Sequence, residues 1–310
     1  MFKNIIITPQ KKDEKNLSQF LKANWHIVKK KFAKKGVLLF RGFHVNNLDD
    51  FNLSVRSIHK KILNNYDEGS TPRSKIKGKI FTSTEISKNR EIPIHNEMSY
   101  STKYPNNLWF YSQKVASKGG QTTIANSRKI YKDLNKKIKN IFEKKKIMYV
   151  RRYGFGMDVP WQIAFNTKNK NKVNSFCKKN AIKFKWINKN KLITWRINGA
   201  TTKNPDFNFK IWFNQAHLFH NSNVDKKSRK MIENFFGKHF FSRDAKFGDG
   251  SDIPLIFLQK IRKTLENNSY NVSWKERDVL LINNLLVSHG RRKFSGKRKL
   301  YVTMTDDRLN

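Results

Sequence analysis

Apolar side chains recur three or four residues apart along residues 17–35, which aligns them on one face of a helix. The apolar set is Leu17, Phe20, Leu21, Trp25, Val28 and Phe32. Lysines occupy many of the positions between them, so the outer face of the predicted helix is basic. Gly36 ends the helix, and the apolar run at 37–40 predicts a short strand.

Helices and strands are interspersed along the rest of the chain. Further helices are predicted at 48–63 and 131–145, within 163–184, and at 228–240 and 253–267. Strands are predicted at 80–84, 94–100, 108–111, 148–153, 212–214, 279–282 and 300–304, and after a glycine turn at 119–120. The chain shows no internal repeat and no long linker. We therefore expect residues 1–310 to form a single α+β domain with helices outside an antiparallel sheet core.

The composition favours a folded protein over a disordered one. Of the 310 residues, 37% are hydrophobic, including 24 Phe and 7 Trp. Cys177 is the single cysteine, which excludes an intrachain disulfide and suits a reducing compartment. No apolar run reaches the length of a signal-peptide core or a membrane span. We expect a cytoplasmic protein without membrane attachment.

The formal net charge is +42, from 65 Lys and Arg against 23 Asp and Glu. Such an excess is typical of nucleic-acid binders, so a nucleic-acid-associated protein is one alternative function. The lysines, however, are spread over the whole chain and mixed with Asn, as at 168–172 and 188–191. We favour a compositional origin of the charge and do not expect specific nucleic-acid binding. The surface should still attract acidic partners, including acidic carrier proteins.

His95 and Glu97 stand two residues apart in a stretch that can form a strand. Because strand side chains alternate between faces, both would project into one cavity. An imidazole and a carboxylate supply two of the three protein ligands of a non-haem Fe(II) site. Such a site needs one more histidine and leaves positions open for other ligands.

His289 is the candidate for the third ligand. It lies between the predicted strands 279–282 and 300–304, and Arg298 stands at the start of the second strand. A histidine at the end of one strand and an arginine at the start of its neighbour would face one cavity. We hypothesise that His95, Glu97 and His289 bind Fe(II). Arg298 would bind a substrate carboxylate, which a guanidinium matches in bidentate geometry.

A set of motifs in one order over residues 36–304 resembles the TauD/TfdA superfamily of Fe(II)/2-oxoglutarate-dependent oxygenases, most closely its SyrP-like branch. The motifs are 36–43 (GVLLFRGF), 81–85 (FTSTE), 92–100 (IPIHNEMSY), 119–122 (GGQT), 212–215 (WFNQ) with Phe219 and His220, 248–251 (GDGS) and 287–298 (VSHGRRKFSGKR). This order of H-x-E, G-G-x-T and a distant histidine and arginine is much rarer than any single motif.

The resemblance implies a double-stranded β-helix (jelly-roll) core with flanking helices. It also implies that His95, Glu97 and His289 form the iron triad and that Arg298 and Thr122 bind 2-oxoglutarate. The protein would be a 2-oxoglutarate-dependent dioxygenase that uses Fe(II) and O2. Its expected reaction is hydroxylation of an amino-acid-like or carrier-protein-tethered small molecule in a biosynthetic pathway, such as antibiotic biosynthesis. A metal-binding jelly roll without turnover is a second alternative.

Two sites near the last ligand depart from the family pattern. Arg277 and Asp278 stand where relatives commonly have Gly-Asp, and Asn283 and Asn284 where they commonly have Asp-Asn. Both changes bear on local turn geometry rather than on metal binding. Glu97 is retained, which argues against a halogenase, because a small residue replaces the carboxylate in that variant.

The sequence defines the substrate contacts less sharply. Ser99, Tyr100, Asn214 and Arg292 are candidates: Ser99 and Tyr100 follow Glu97, with strand alternation placing Ser99 on the ligand side. For Asn214 a purely structural hydrogen bond is an equally good interpretation, and most arginines simply lie at the surface. We expect the loops at 66–90 and 155–210 to shape the pocket, but the sequence does not name the substrate.

Overall fold

The computed structural model describes residues 2–10, 13–63, 74–83, 86–156, 160–203, 208–237 and 240–306. Its strands are β1 (Ile6–Ile7), β2 (Val37–Phe40), β3 (Lys75–Lys77), β4 (Ile80–Thr82), β5 (Ile92–His95), β6 (Asn107–Lys114), β7 (Lys118–Gly119), β8 (Thr122–Asn126), β9 (Ile147–Tyr153), β10 (Lys183–Trp186), β11 (Leu192–Asn198), β12 (Thr201–Lys203), β13 (Lys210–Trp212), β14 (Arg243–Phe247), β15 (Ser269–Val272), β16 (Val279–Asn283), β17 (Val287–Arg291), β18 (Phe294–Ser295) and β19 (Lys299–Thr305). Its α-helices are α1 (Leu17–Lys35), α2 (Leu48–Arg56), α3 (Ser127–Asp133), α4 (Lys136–Lys145), α5 (Trp161–Ala164), α6 (Lys170–Lys179), α7 (Ala216–Phe219), α8 (Lys226–Phe236) and α9 (Leu255–Asn267).

Two sheets pack face to face at the centre of the fold. In the described residues the larger sheet has the strand order β1-β2-β16-β6-β19-β4-β3, and the smaller one β15-β8-β17-β5. Neighbouring strands in both are antiparallel except β1 and β2. Leu39, Phe110 and Leu280 of the larger sheet pack against Ile124 and Val287 of the smaller one in a shared buried cluster.

The outer face of the larger sheet is covered by α1 and α2. Leu38 and Phe40 of β2 point to this side, where they meet Leu21 and Phe32 of α1. Because β2 is buried on both faces, its sequence is continuously apolar rather than alternating. The side chain of Asn16 caps α1 at its start, and Gly36, at φ 70°, ends it in the left-handed conformation.

A third sheet, in the order β10-β11-β9-β14, lies within the segment between β8 and β17. Tyr149 of β9 packs with Phe219 of α7 in a large core cluster that also takes in α3, α4 and α9. This segment therefore brings α7 and α8 close to the strands that carry the candidate ligands.

Antiparallel sheets with helices outside them confirm the predicted α+β character, but several predicted boundaries were wrong. The helix predicted at 48–63 ends at Arg56, because the chain turns to bridge Ile62 with Thr305 of β19. The helix predicted at 131–145 is two helices, since Asn135 caps α4 with its side chain. None of the helices in the described part of the chain combines the length and apolar character needed to cross a membrane. Part of the 81–85 motif, residues 84–85, lies outside the described residues.

Candidate metal and co-substrate site

The side chains of His95, Glu97 and His289 converge in the interior. One ligand atom from each lies within 4.8 Å of the other two, and the His289 Nε2 to Glu97 Oε2 distance is 3.8 Å. All three residues are buried, with exposed fractions of 8%, 2% and 6% respectively. Two imidazoles and one carboxylate form the donor set of a 2-His-1-carboxylate iron site, so the residues present fit an Fe(II) ion.

The two histidines meet because their strands pair. His289 of β17 is the direct cross-strand partner of His95 of β5, and the two ring centroids lie 4.6 Å apart. The Nδ1 of His95 lies 2.8 Å from the carbonyl oxygen of Pro93. A carbonyl only accepts hydrogen bonds, so this contact fixes the proton on Nδ1 and leaves the Nε2 lone pair for a metal.

Glu97 reaches the cluster by a different route from the predicted one. Strand β5 ends at His95, and Glu97 lies in the turn that follows, where Met98 has the left-handed φ of 54°. The expected strand alternation through residue 100 is therefore wrong, although the two side chains do come together. The turn is anchored by Asn284, whose Oδ1 accepts from the Glu97 N–H at 2.7 Å and whose Nδ2 donates to the Glu97 carbonyl at 2.9 Å.

A small cavity adjoins the triad on the side of Thr122 and Arg298. Its lining is Ser83, Ile92, His95, Phe110, Thr122, His289, Gly290, Arg291, Arg298 and Leu300. Within the described part of the chain, this lining includes two guanidinium groups and no carboxylate. A buried dicarboxylate needs a cation and a hydroxyl donor, and Arg298 with Thr122 supplies both at neutral pH.

Arg298 and Arg291 differ in how their guanidinium groups are used. One nitrogen of Arg291, Nη2, donates to the carbonyl oxygens of Ile86, Ser87 and Arg90, so this side chain holds the chain at 86–90. The Nε of Arg298 has no hydrogen-bond partner within the described residues. Burial, followed by repulsion from Arg291, lowers the pKa of Arg298 to about 9. An anionic ligand would relieve this desolvated charge.

The glycine pair of the G-G-x-T motif makes room for Arg298. Gly120 has φ 73°, and a Cβ added there would lie 3.2 Å from both Cδ and Nε of Arg298. At Gly119 a Cβ would lie 2.2 Å from the carbonyl oxygen of Lys293. Both positions therefore require glycine. Gly119 allows the close approach to Lys293 beside β18, and Gly120 leaves space for the Arg298 side chain.

A larger cavity of about 370 Å³ opens on the other side of the triad. His95 and Ile92 line both cavities, so the two spaces meet at the candidate metal ligands. Within the described residues its wall comes from 86–97, 215–232 and 241–243. The described residues of the 155–210 loop do not contribute to this wall, contrary to expectation. Residues 64–73, 84–85, 157–159 and 204–207 lie outside the described residues.

None of the four substrate candidates lines this wall. Ser99 Oγ donates to the carbonyl of Asn96, and Tyr100 packs against Tyr149 and Phe219. Asn214 donates to the Ala200 carbonyl and accepts from Ala216 N–H at the start of α7. These two hydrogen bonds support a structural role for Asn214. Its neighbour Gln215 lines the larger cavity.

Arg292, the fourth candidate, is engaged in surface ion pairs. Its Nη2 lies 2.5 Å from Glu266 Oε1 and its Nη1 lies 3.6 Å from Glu91 Oε2. Of the histidines near α7, His220 lines the larger cavity, and burial lowers its pKa to about 4. His217 is buried against the Ile94 carbonyl, and its pKa is lowered to about 3, chiefly by burial. Both rings are therefore neutral at pH 7.

Trp274 and Asn284 were not among the predicted site residues. Gln215 closes the WFNQ motif, whose polar residues after an aromatic strand indicate a pocket lining. Asn284 stands at one of the two departures from the family pattern. Trp274, whose indole N–H donates to Thr122 Oγ1 at 3.0 Å, carries no sequence signal that distinguishes it from a core tryptophan.

Comparisons with known proteins agree with this geometry. Residues 7–304 match the family described as "Taurine catabolism dioxygenase TauD, TfdA family". The chain is 35% identical to the dapdiamide synthesis protein DdaC of Enterobacter agglomerans, over 91% of this chain and 85% of that protein. It is 29% identical to a clavaminate synthase-like protein of Arabidopsis thaliana, over 93% and 86%.

Solved structures with the same fold include PvcB from Pseudomonas aeruginosa. The TM-score is 0.57 at 13% identity, and the alignment covers 98% of this chain and 85% of that one. A second structure of PvcB, with a TM-score of 0.56, is described as an Fe, alpha-ketoglutarate dependent oxygenase from an isonitrile synthetic pathway. At this identity the likeness concerns the fold.

Proposed function

This chain belongs to the TauD/TfdA dioxygenase family, and we propose that His95, Glu97 and His289 bind its iron while Arg298 and Thr122 bind its 2-oxoglutarate. As a family member the protein is an Fe(II)- and 2-oxoglutarate-dependent oxygenase. Family membership therefore favours an enzyme over the alternative of a nucleic-acid-associated protein. The observation that carries the residue assignment is the buried triad with its ligand atoms within 4.8 Å of one another, next to a cavity lined by two arginines.

We also propose that the two facing sheets are the double-stranded β-helix that the resemblance implied. The antiparallel order of both sheets and their shared apolar cluster support this topology. The ligands then sit at the mouth of the space between the sheets, as in other small barrels and jelly rolls that enclose ligands. That residues 1–310 act as a single domain remains a prediction.

Bound Fe(II) supplies an oxidant for C–H bonds, driven by conversion of 2-oxoglutarate and O2 to succinate and CO2. The chain supplies position and environment. The Pro93 carbonyl holds the His95 ring in one tautomer, and Asn284 holds the turn that presents Glu97. Arg298 and Thr122 would orient the co-substrate from the small cavity, so that the larger cavity remains for the substrate.

The larger cavity favours a small, amino-acid-like substrate. Its volume of about 370 Å³ lies at the small end of ordinary ligand sites. Arg90, Arg243 and Glu91 line the same space, together with the neutral ring of His220. Cations suit a carboxylate and an anion suits an ammonium group, so a zwitterion finds a partner for each charge. We propose hydroxylation of such a molecule in a biosynthetic pathway.

Delivery of the substrate on an acidic carrier protein is compatible with this cavity. The formal net charge of +42 would accelerate encounter with an acidic partner at low salt. The carrier partner and the cytoplasmic location both stay predictions.

The residue assignment is tested with purified protein supplied with Fe(II), 2-oxoglutarate and O2. We expect His95→Ala and His289→Ala to lose stoichiometric Fe(II) binding and succinate formation. His44→Ala, which removes an exposed histidine, should retain both. Wild-type levels of Fe(II) binding in both triad variants would contradict the assignment. If the wild type binds Fe(II) but forms no succinate with any of the amino acids in the panel described next, the protein would instead be a metal-binding jelly roll without turnover.

The substrate class is tested by anaerobic spectroscopy of the Fe(II)/2-oxoglutarate complex. A panel of amino acids, free and carrier-bound, is added, and a bound substrate should perturb the metal-to-ligand charge-transfer band. A response to zwitterions that is lost in Arg243→Gln would support the amino-acid-like class. A response confined to uncharged molecules would contradict it.

A further inference from the structure

Trp274 lies directly behind the two residues proposed to bind 2-oxoglutarate. Its Nε1 donates a hydrogen bond to Thr122 Oγ1 at 3.0 Å. With Arg298, Gly120 and Leu300 it also lines a small void on the far side of Arg298. The indole packs against the central core cluster between the two sheets. Trp274 thus contacts Thr122 and, with Arg298, lines a space that none of the three triad residues lines.

The chemistry of the two groups fixes the direction of their hydrogen bond. An indole N–H can only donate, whereas a hydroxyl donates one hydrogen and accepts through its lone pairs. The Thr122 oxygen must therefore be the acceptor, and its own hydrogen cannot point at Trp274. The hydroxyl hydrogen is left for another acceptor, and Thr122 lines the cavity that also holds Arg298, His95 and His289.

The position of Thr122 in the sheet restricts the orientation of its side chain. Thr122 lies in β8 between two neighbouring strands, and it pairs with Val272 of β15 on one side and with Arg291 of β17 on the other. Its β-branched side chain is restricted at χ1. Rotation of the O–H about the Cβ–Oγ1 bond is the main remaining freedom, and the indole N–H restricts it.

We propose that Trp274 is a positioning residue for 2-oxoglutarate, which aims the Thr122 hydroxyl hydrogen at the co-substrate carboxylate held by Arg298. The inference rests on the proposed function, because it requires 2-oxoglutarate in the Thr122 and Arg298 cavity. A tryptophan with a merely structural role would contribute its ring to the core, and the hydroxyl would only satisfy the buried N–H. The two roles differ in what happens when the N–H alone is removed.

Trp274→Phe removes the N–H and keeps an aromatic ring in the core. The dissociation constant of 2-oxoglutarate is measured by anaerobic calorimetry on the Fe(II)-loaded protein, together with the KM for 2-oxoglutarate, kcat and the Tm. We expect the dissociation constant and KM to rise about 3- to 10-fold, the worth of roughly one hydrogen bond, with little change in kcat at saturation.

Trp186→Phe is the matched control. Trp186 makes the same kind of bond, from Nε1 to Asn174 Oδ1 at 2.9 Å, but it lies on β10 and lines neither cavity beside the triad. It should leave the dissociation constant of 2-oxoglutarate unchanged. An equal rise in both variants would mean that general loosening, rather than the Thr122 contact, is responsible, and would overturn the proposal.

A double-mutant cycle with Thr122→Val isolates the pair. Thr122→Val alone should weaken 2-oxoglutarate binding, and adding Trp274→Phe should weaken it no further, since the acceptor is already gone. Full additivity, or wild-type affinity in Trp274→Phe, would overturn the positioning role. If Arg298→Met loses binding while Trp274→Phe does not, only this inference fails. If the wild type does not bind 2-oxoglutarate, the proposed function fails with it.

Discussion

The side chain of Asn284 binds both backbone polar groups of Glu97, accepting from its N–H at 2.7 Å and donating to its carbonyl at 2.9 Å. Asn284 also donates to the Pro105 carbonyl and is fully buried. It directly follows β16, and the loop it begins leads to β17 and His289. One amide therefore links the turn of the candidate carboxylate ligand to the strand of the third ligand.

Asn284→Ala should weaken both the fold and the metal site. It leaves a buried N–H and two carbonyls without their partner, at about 1–3 kcal/mol for each unsatisfied group. We expect the free energy of unfolding to fall by about 3 kcal/mol or more and Fe(II) affinity to fall about 10- to 100-fold, as for other groups that support ligands. Urea unfolding and Fe(II) titration measure the two effects.

Asn283→Asp provides the neighbouring control. Within the described residues, the Asn283 side chain forms hydrogen bonds through its Oδ1, which accepts from the N–H groups of Leu285 and Leu286, and a carboxylate can accept both bonds. This change should alter neither stability nor Fe(II) affinity appreciably. Unaltered Fe(II) affinity in Asn284→Ala would show that the amide clamp does not support the metal site.

Arg298→Met should separate stability from co-substrate binding. The buried guanidinium is costly in the ligand-free protein, and an apolar side chain of similar length removes that cost. We expect the Tm of the ligand-free variant to equal or exceed that of the wild type, while 2-oxoglutarate no longer raises it. Thermal unfolding with and without 2-oxoglutarate tests this. Arg56→Met, at an exposed helix position, should behave like the wild type in both conditions.

The lowered pKa of Arg298 predicts a loss of 2-oxoglutarate affinity at alkaline pH. Burial brings this pKa to about 9 in the free protein, and the dianion binds the protonated form. The dissociation constant should therefore be flat near pH 7 and rise as the pH passes about 9. Calorimetry between pH 7 and pH 10 measures it. A constant affinity over that range would show that Arg298 stays fully charged or does not contact the ligand.

The lowered pKa of Arg298 also makes the free energy of unfolding depend on pH. The folded-state pKa lies below the ordinary value of 12.5, so the unfolded chain binds more protons between these two values. The contribution of Arg298 to the free energy of unfolding is therefore unfavourable at pH 7. It becomes less unfavourable as the pH rises through about 9.

Arg277→Gly should stabilise the protein. Arg277 has a φ of 69°, a left-handed conformation that costs a residue with a side chain roughly 1 kcal/mol. Glycine adopts this conformation without that steric cost. We expect a gain of about 0.5–1 kcal/mol in the free energy of unfolding, with Fe(II) and 2-oxoglutarate affinities unchanged. Arg277→Ala keeps a Cβ and should give no such gain; an equal gain would rule out relief of backbone strain.

The types of side chain in the site could be read from the sequence. The H-x-E pair, a later histidine with an arginine nine residues on, and the G-G-x-T motif indicated the chemistry by residue identity and order. Imidazole, carboxylate and guanidinium groups have few other joint uses. Periodicity also predicted α1 and β2, because both bury faces whose apolar spacing matches a helix and a strand.

The paths by which those side chains meet were decided by tertiary structure. The sequence suggested strand alternation for His95 and Glu97, whereas a left-handed turn at Met98 and the Asn284 amide place the carboxylate. It could not show that Arg292 is engaged by Glu266, or that the Asn214 side chain donates to the carbonyl of Ala200. Such contacts join residues far apart in the chain, and local pattern contains no information about their distance.

The sequence by itself determined which groups can hold a metal and a dicarboxylate, since this depends on the chemistry of individual side chains and their order. Only the tertiary structure decided which residues orient those groups. Trp274 lies 152 positions from Thr122, and Asn284 lies 187 positions from Glu97. Hydrogen bonds act over about 3 Å in space, so these partners become visible only when sheet pairing brings the strands together.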